Sequence, residues 1–177
     1  MAFDFSQIIF QSIINSIKIA PALWLMILAL LFAATAIWVF KLLHLAKADI
    51  FKIDKMSGEE FETFLEILFR NDGFKVNHTG SSNKYKGDWG ADLIIEKNGI
   101  KTSVQAKRWK WMVTEKSVQE VVTSKAQYGC QGAMVITNSH FSYHAKHLAR
   151  VNNVLLWDRN TLASEILRIR KQNKREQ

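Results

Sequence analysis

Hydrophobic and polar positions divide the chain of 177 residues into two parts. Residues 21–40, PALWLMILALLFAATAIWVF, are apolar or small throughout and carry no charge. About 20 such residues in a helix cross a hydrocarbon core of about 30 Å. We therefore predict a transmembrane helix at residues 21–43. A buried core helix is one alternative, but the apolar run is longer than such a helix usually needs. A cleaved signal peptide is the other, but the run continues to Phe40, beyond its candidate site at Ala36.

Charged residues on the two flanks predict how this span is oriented. Lys18 alone precedes it, whereas four lysines follow it closely: Lys41, Lys47, Lys52 and Lys55. Cytoplasmic flanks carry an excess of positive charge. We therefore predict a single-pass protein of the cell (inner) membrane whose carboxyl-terminal domain is cytoplasmic. Residues 1–20 are predicted to form an interfacial segment on the outer surface, and residues 44–55 a juxtamembrane linker.

The remaining residues, 56–177, have the patterns of a soluble α/β domain. Apolar residues at three-and-four spacing predict helices at 57–71, 115–128, 142–151 and from about residue 160. Short apolar runs predict strands at 74–78, 133–136 and 154–157, and a hairpin is predicted around Asn98-Gly99. The order α-β-β-β-α-β-α-β-α indicates a mixed β-sheet flanked by helices.

The pattern also predicts how individual helices begin, pack and end. Ser57 is the predicted N-cap of the first helix, and Gly73 ends it. In the second helix, the predicted buried face consists of Val118, Val121, Val122 and Ala126. The basic tail at residues 168–175 is predicted to be a solvated, frayed helix end.

Charge and cysteine content narrow the class of partner and the compartment. The net charge of +8 at pH 7, most of it after residue 55, favours an anionic partner, either nucleic acid or lipid head groups. The single Cys130 excludes a disulfide framework within the chain and suits a reducing compartment.

Two stretches contain candidate nucleic-acid contacts. Residues 107–111, KRWKW, interleave basic and aromatic side chains, which can hold phosphates and stack on an exposed base. The candidates are Arg108, Trp109 and Lys110, with a strand end packed on the next helix as the alternative. Asn138 and Ser139 lie between a strand and a helix, where they could hold a phosphate or serve as ordinary caps.

The hairpin around Asn98-Gly99 brings three polar side chains together. A type I′ turn at these two residues places Asp92 opposite Gln105. Side chains alternate between the two faces of a strand, so Asp92, Gln105 and Lys107 share one face. Directly opposed Cβ atoms are about 5 Å apart, so a carboxylate, an amide and an ammonium group can converge there.

This cluster is suited to metal-assisted chemistry on a phosphate. A carboxylate beside an amide oxygen can hold Mg²⁺, which prefers oxygen ligands and retains several waters. A lysine beside the metal can orient an attacking water and stabilise charge on the phosphate. The helix at 57–71 offers a further acid, and its periodicity leaves both Glu62 and Glu60 open. An amphipathic hairpin with a merely solvated outer face is the alternative interpretation.

The segment from Ser57 to about Leu167 resembles the catalytic domain of Mrr-type restriction endonucleases, which belong to the PD-(D/E)xK nuclease superfamily. The matching sequences are EFE at 60–62, GDWGAD at 87–92, QAKR at 105–108, and AMVITN at 133–138 followed by Phe141 and Ala145. The resemblance implies a restriction-endonuclease-like mixed β-sheet flanked by helices.

The resemblance also implies a role for each residue of the cluster. Asp92 would be the principal metal ligand. Gln105 would be the second ligand, at a position where most of the superfamily has Asp or Glu and the Mrr group has Gln. Lys107 would be the catalytic lysine, and Glu62 the helix acid. The implied cofactor is Mg²⁺, with Mn²⁺ as a substitute. Asp88 would shape the glycine-rich loop rather than bind metal.

The implied function is a membrane-anchored, Mg²⁺-dependent endodeoxyribonuclease acting in restriction of foreign DNA, for which paired strand cuts would need a homodimer. Two features depart from the family. Trp89 occupies a position where small or polar residues are usual. The apolar run takes the place of the winged-helix domain of many relatives, so a preference for methylated DNA is not inherited. The alternative, which Trp89 and the neutral Gln105 leave open, is an inactive module that tethers DNA at the membrane.

Overall fold

The computed structural model describes residues 5–46, 49–79 and 89–175. The chain divides into two compact units, Met1–His44 and Leu45–Gln177. Helix α1 (Phe5–Ala46) is continuous over 42 residues and contains Pro21 at the boundary between the predicted interfacial segment and the predicted span. Within it, Leu23–Phe40 has a mean hydropathy of 2.5, and none of these residues is buried. By length and composition this stretch can cross a membrane, and the crossing itself stays a prediction.

The second unit is a five-stranded mixed sheet flanked by helices. Its helices are α2 (Ile50–Ile53), α3 (Gly58–Asn71), α4 (Glu115–Gln127), α5 (Tyr143–Val151) and α6 (Arg159–Asn173). Its strands are β1 (Lys75–His78), β2 (Leu93–Lys97), β3 (Ile100–Lys107), β4 (Gly132–Thr137) and β5 (Val154–Trp157). The sheet order is β1-β2-β3-β4-β5. The first three strands are antiparallel, and β3, β4 and β5 are parallel. The predicted fold class is confirmed.

Buried side chains form one cluster on each face of the sheet. One cluster packs Phe61 of α3 and Leu162 of α6 against the sheet. The other packs Val121 of α4 and Ala145 of α5 against the opposite face. Successive residues of β4 enter different clusters, and the whole strand from Ala133 onward is buried. Strand β4 is apolar along its whole length because helices cover the sheet on both faces.

The helix starts follow the predicted capping chemistry. Ser57 accepts a hydrogen bond from the N–H of Glu60 at 3.1 Å, and the Glu60 carboxylate accepts one from the N–H of Ser57 at 3.0 Å. This capping box satisfies two donors that the first turn would otherwise leave unpaired. Gly73 follows α3 with φ +82°, a conformation that glycine adopts without steric cost.

Two packing predictions are wrong. Ala126 of α4 is exposed, and Ser124 occupies the buried face in its place. A serine is tolerated there because its Oγ lies 2.8 Å from the Val121 carbonyl oxygen and 3.0 Å from Ser103 Oγ on β3. The basic tail is solvated as predicted, with Arg168, Lys171 and Lys174 exposed, but it is not frayed, because α6 runs to Asn173 with Ile169 only 1% exposed.

The segment predicted as a linker contributes to the domain. Ile53 of α2 is fully buried in the core that α3 and α6 share. Arg159 donates to both carboxylate oxygens of Asp54, at 2.7 and 2.8 Å, and Asn138 Nδ2 donates to the same carboxylate at 2.9 Å. The hydrogen bonds from Arg159 hold the pKa of the Asp54 carboxyl below its usual range. The chain just before α3 is thus fastened to the start of α6.

This ion pair predicts a specific pH dependence. Because the pKa of Asp54 is lower in the folded state, the pair stabilises the fold fully above the unfolded-state pKa, and this stabilisation is lost as the pH falls through the folded-state pKa. We expect Asp54→Asn to lower the free energy of unfolding at pH 7, by an amount that shrinks below about pH 4. Urea unfolding of the full chain in detergent, followed by tryptophan fluorescence at several pH values, measures this. The exposed Asp49→Asn is the control, and an equal loss at every pH would contradict the prediction.

Candidate active site

The β2–β3 hairpin has the predicted register. Leu93 pairs with Val104, and Lys97 pairs with Ile100 on either side of a two-residue turn. The turn residues Asn98 and Gly99 have φ values of 54° and 78°. Positive φ at both positions defines a type I′ turn, whose twist matches that of the strands.

Two of the three predicted polar side chains are in direct contact. Asp92 Oδ2 accepts a hydrogen bond from Gln105 Nε2 at 2.6 Å and another from the backbone N–H of Ala106 at 2.6 Å. Gln105 is only 3% exposed. The carboxylate is therefore held in one orientation by donors from the neighbouring strand.

Lys107 lies two residues beyond Gln105 on the same face of β3 and contacts helix α4. Its Nζ lies 3.2 Å from Glu120 Oε2, and both side chains are about one-third exposed. That oxygen is itself shielded from solvent, and it makes no hydrogen bond within the described part of the chain. The contact is thus an ion pair whose geometry falls short of a hydrogen bond. Sequence analysis missed Glu120 because no short motif connects it to the hairpin.

The turn that leads into Asp92 is also packed against α4. Trp89 and Gly90 have φ values of 46° and 79°. A Cβ on Gly90 would lie 2.6 Å from the carbonyl oxygen of Glu120, so only glycine fits. Helix α4 therefore holds both the approach to Asp92 and the ammonium group of Lys107. Asp88 and the rest of the loop at 80–88 lie outside the described residues.

The acidic side chains of α3 differ in their surroundings. The Glu60 carboxylate is part of the capping box at the helix start. Glu62 is half-buried. Because Glu60 already has a structural role at the cap, Glu62 is the stronger candidate for the predicted helix acid.

The contacts of Glu66 indicate that Glu62 lies toward the end of the sheet that carries Asp92. One turn further along α3, Glu66 contacts His78 Nε2 at 2.8 Å, and His78 pairs with Leu93, the next residue after Asp92. Burial raises the pKa of Glu66, but its hydrogen bonds outweigh this effect and the pKa lies below its usual range. Since α3 covers the face opposite to Asp92, Glu62 can approach the site only around the end of the sheet. Its role in the site stays a prediction.

The donor set is compatible with a hard divalent cation. No cluster of three or more histidine, cysteine, aspartate or glutamate side chains suited to a metal occurs in the described ranges. Asp92 and Gln105 nevertheless place a carboxylate and an amide in contact, and Mg²⁺ is commonly held by one or two carboxylates with several retained waters. The amide presents its NH₂ group to Asp92, so joint binding of a cation requires the amide oxygen to turn toward it.

The predicted DNA contacts fall into two groups. Trp109 and Lys110 follow β3 and are exposed, and Arg108 is half-buried. Asn138 is 6% exposed, and its Oδ1 accepts a hydrogen bond from the N–H of Trp109 at 2.8 Å. Its amide therefore has an internal role, which is not helix capping, since Ser142 is the N-cap of the next helix. The backbone N–H of Ser139 donates to Thr137 Oγ1 at 3.1 Å.

Comparison with known proteins identifies the family. A family model described as a restriction endonuclease domain, Mrr_cat, matches residues 53–166. The chain therefore belongs to this restriction endonuclease family, as its motifs indicate. No curated protein matches the sequence significantly.

Two solved structures are similar to part of the chain. One is AF1548, a protein of unknown function, with 17% identity and a TM-score of 0.44, covering 53% of this chain and 54% of that one. The other is the MspJI restriction endonuclease in complex with a 27-mer oligonucleotide, with 23% identity and a TM-score of 0.43, covering 59% of this chain and 26% of that one. The matched part thus spans about half of one and a quarter of the other.

The contact between Gln105 and Asp92 predicts how an acid at position 105 would behave. Gln105→Glu puts a second carboxylate where the amide nitrogen now lies 2.6 Å from Asp92 Oδ2, and two like charges at such short range repel. We expect the melting temperature of this variant in EDTA to fall below that of the wild type, and Mg²⁺ to restore more of it than Mg²⁺ adds to the wild type. Circular dichroism melting measures both, with the exposed Gln119→Glu on α4 as control. Equal Mg²⁺ shifts for variant and wild type would contradict a cation site at this pair.

Proposed function

We propose that this protein is a membrane-anchored, metal-dependent DNA endonuclease that hydrolyses phosphodiester bonds. The observation that carries the proposal is the contact between Asp92 and Gln105, with Lys107 on the same strand face. The cluster lies in a domain of the restriction endonuclease family. If this face of the hairpin were merely solvated, Gln105 would not need to be buried and hydrogen-bonded to the Asp92 carboxylate.

Asp92 and Gln105 would hold Mg²⁺, or Mn²⁺ as a substitute. Such a cation supplies positive charge to the phosphate oxygens during hydrolysis. The N–H of Ala106 and the Gln105 side chain fix the orientation of the Asp92 carboxylate, so little ordering is needed when substrate binds.

Lys107 would act on the attacking water and on the phosphate. Water attacks phosphorus and gives up a proton to bulk water, the bond from phosphorus to the leaving oxygen breaks, and the leaving oxygen takes a proton from bulk water. The ammonium of Lys107 orients the water and stabilises the negative charge that grows on the phosphate oxygens. Glu120 keeps that ammonium on the correct side of the strand through the ion pair. Glu62 is the further acid at this end of the sheet.

The span at residues 21–43 would anchor the protein in the lipid bilayer of the cell (inner) membrane, with the nuclease domain in the cytoplasm. The apolar, unburied stretch in α1 supports the anchor, and the lysines that follow it support the orientation. The substrate class would be DNA, in restriction of foreign DNA. A homodimer would be required for paired cuts in a duplex.

A second candidate is an inactive DNA-binding module that tethers DNA at the membrane. It is favoured by two observations. Gln105 is neutral where most of the superfamily carries an acid, and Trp89 is an exposed, bulky residue at the approach to Asp92. The intact lysine at position 107 favours the nuclease.

The test is DNA cleavage by the purified full chain in detergent, with plasmid and single-stranded DNA, in Mg²⁺, Mn²⁺ or EDTA. We expect metal-dependent cutting that Asp92→Ala abolishes and that Lys107→Ala reduces by about 10²–10³-fold, the cost of losing one transition-state donor. Lys101→Ala, an exposed lysine at the far end of the same strand, is the matched control.

Three outcomes separate the candidates. If the Asp92 and Lys107 variants lose cutting and Lys101→Ala does not, the result supports a nuclease at this site. Cutting that survives both substitutions places the chemistry elsewhere. DNA binding without cutting under every metal condition contradicts the nuclease and supports the tethering module.

A further inference from the structure

A cleft lies directly beside Lys107, between the chain that leaves β3 and helix α4. Its volume is about 350 Å³, and it is lined by eight residues: Lys107, Trp109, Met112, Val113, Thr114, Lys116, Ser117 and Glu120. Small-ligand pockets range from about 300 to 1,000 Å³, so this one suits a single ring system. Lys107 and Glu120 belong both to the cleft and to the candidate active site.

The cleft has exposed apolar side chains at its rim and buried residues in its lining. Trp109 is 55% exposed and Met112 is 62% exposed, although both are large apolar side chains. Val113 and Ser117, which also line the cleft, are buried. The backbone of Trp109 is held by its hydrogen bond to Asn138, so the indole is carried on a fixed segment of chain. Such exposed apolar side chains around a recess mark a binding site rather than ordinary surface.

The chemistry of the cleft fits a nucleobase better than a purely apolar ligand. An indole offers a flat face on which any base can stack, and a methionine sulfur makes favourable contacts with aromatic rings. Lys107 and Lys116 both line the cleft and supply positive charge for flanking phosphates, and Glu120 offsets part of the charge of Lys107 through its ion pair. Thr114 is the N-cap of α4, yet its side chain makes no capping hydrogen bond, which leaves a hydroxyl to face the edge of a base.

The geometry points to a subsite for one unpaired nucleobase next to the scissile phosphate, with Trp109 as its stacking platform. The inference rests on the proposed function and narrows its substrate class. A base inside a duplex must be unstacked before it can enter such a pocket, at a cost of a few kcal/mol. The preferred substrate is therefore DNA with an unpaired nucleotide at the cutting site, as in single strands, gaps or mismatches.

Binding without cleavage tests the subsite independently of catalysis. The probe is an oligonucleotide that carries 2-aminopurine in an unpaired position, titrated with the full chain in detergent and EDTA, and compared with the same base in a full duplex. Stacking on an indole quenches 2-aminopurine fluorescence. The variants are Trp109→Ala and Trp109→Phe, which removes the indole but keeps a ring.

Trp111 provides a matched control two residues away. It is 69% exposed, its ring lies 5.9 Å from Lys110 Nζ, and it is not part of the cleft lining. We expect Trp109→Ala to weaken binding of the unpaired probe by about 5- to 100-fold and to abolish the quenching. We expect Trp109→Phe to retain most of the binding, and Trp111→Ala to stay within about twofold of the wild type.

Several results would overturn the subsite. The subsite is contradicted if the protein binds paired and unpaired probes equally and without quenching. It is also contradicted if Trp109→Ala and Trp111→Ala weaken binding of the unpaired probe equally. If Trp109→Ala binds the probe normally but no longer binds anionic lipid vesicles, Trp109 is a membrane contact and not a base-stacking residue. Quenching that depends on Trp109, in a protein that cuts no DNA in Mg²⁺ or Mn²⁺, would retain the subsite while the proposed nuclease fails.

Discussion

The register of the β2–β3 hairpin is the constraint on which the candidate site depends. If one strand slipped by one residue, either Leu93 or Val104 would turn out of the core, and Asp92 and Gln105 would lie on opposite faces. The type I′ turn and the buried apolar pair oppose that slip from the two ends of the hairpin. The same pairing that buries the core therefore also brings the carboxylate and the amide into contact.

Helix α4 is the second element that organises the site. Its side chain at Glu120 contacts the ammonium group of Lys107, and its backbone at the same residue leaves room only for glycine at position 90. Its first turn supplies one wall of the cleft beside Lys107. A single rigid helix thus positions the lysine, the turn that leads to Asp92 and the proposed base subsite. Displacement of α4 would disturb all three together.

Local patterns predicted much of this arrangement. The turn residues specified the hairpin, alternation specified which face carries Asp92 and Gln105, and Ser57 specified the start of α3. Contacts between distant parts of the chain were not predictable in this way. Glu120, the burial of Ser124 and the fastening of Asp54 to Arg159 depend on how helices settle on the finished sheet. None of these contacts has a spacing or motif that a single sequence displays.

Removing and then restoring the ammonium group at position 107 tests most directly whether this hairpin is a hydrolytic site. Lys107→Cys removes the ammonium group, and alkylation of the new thiol with 2-bromoethylamine puts one back at nearly the same distance. Burial raises the pKa of the Cys130 thiol, so the native cysteine reacts more slowly. We expect the cysteine variant to cut DNA poorly and alkylation to restore much of the lost rate. Unchanged cutting by the cysteine variant, or no recovery after complete alkylation, would contradict a catalytic role for Lys107.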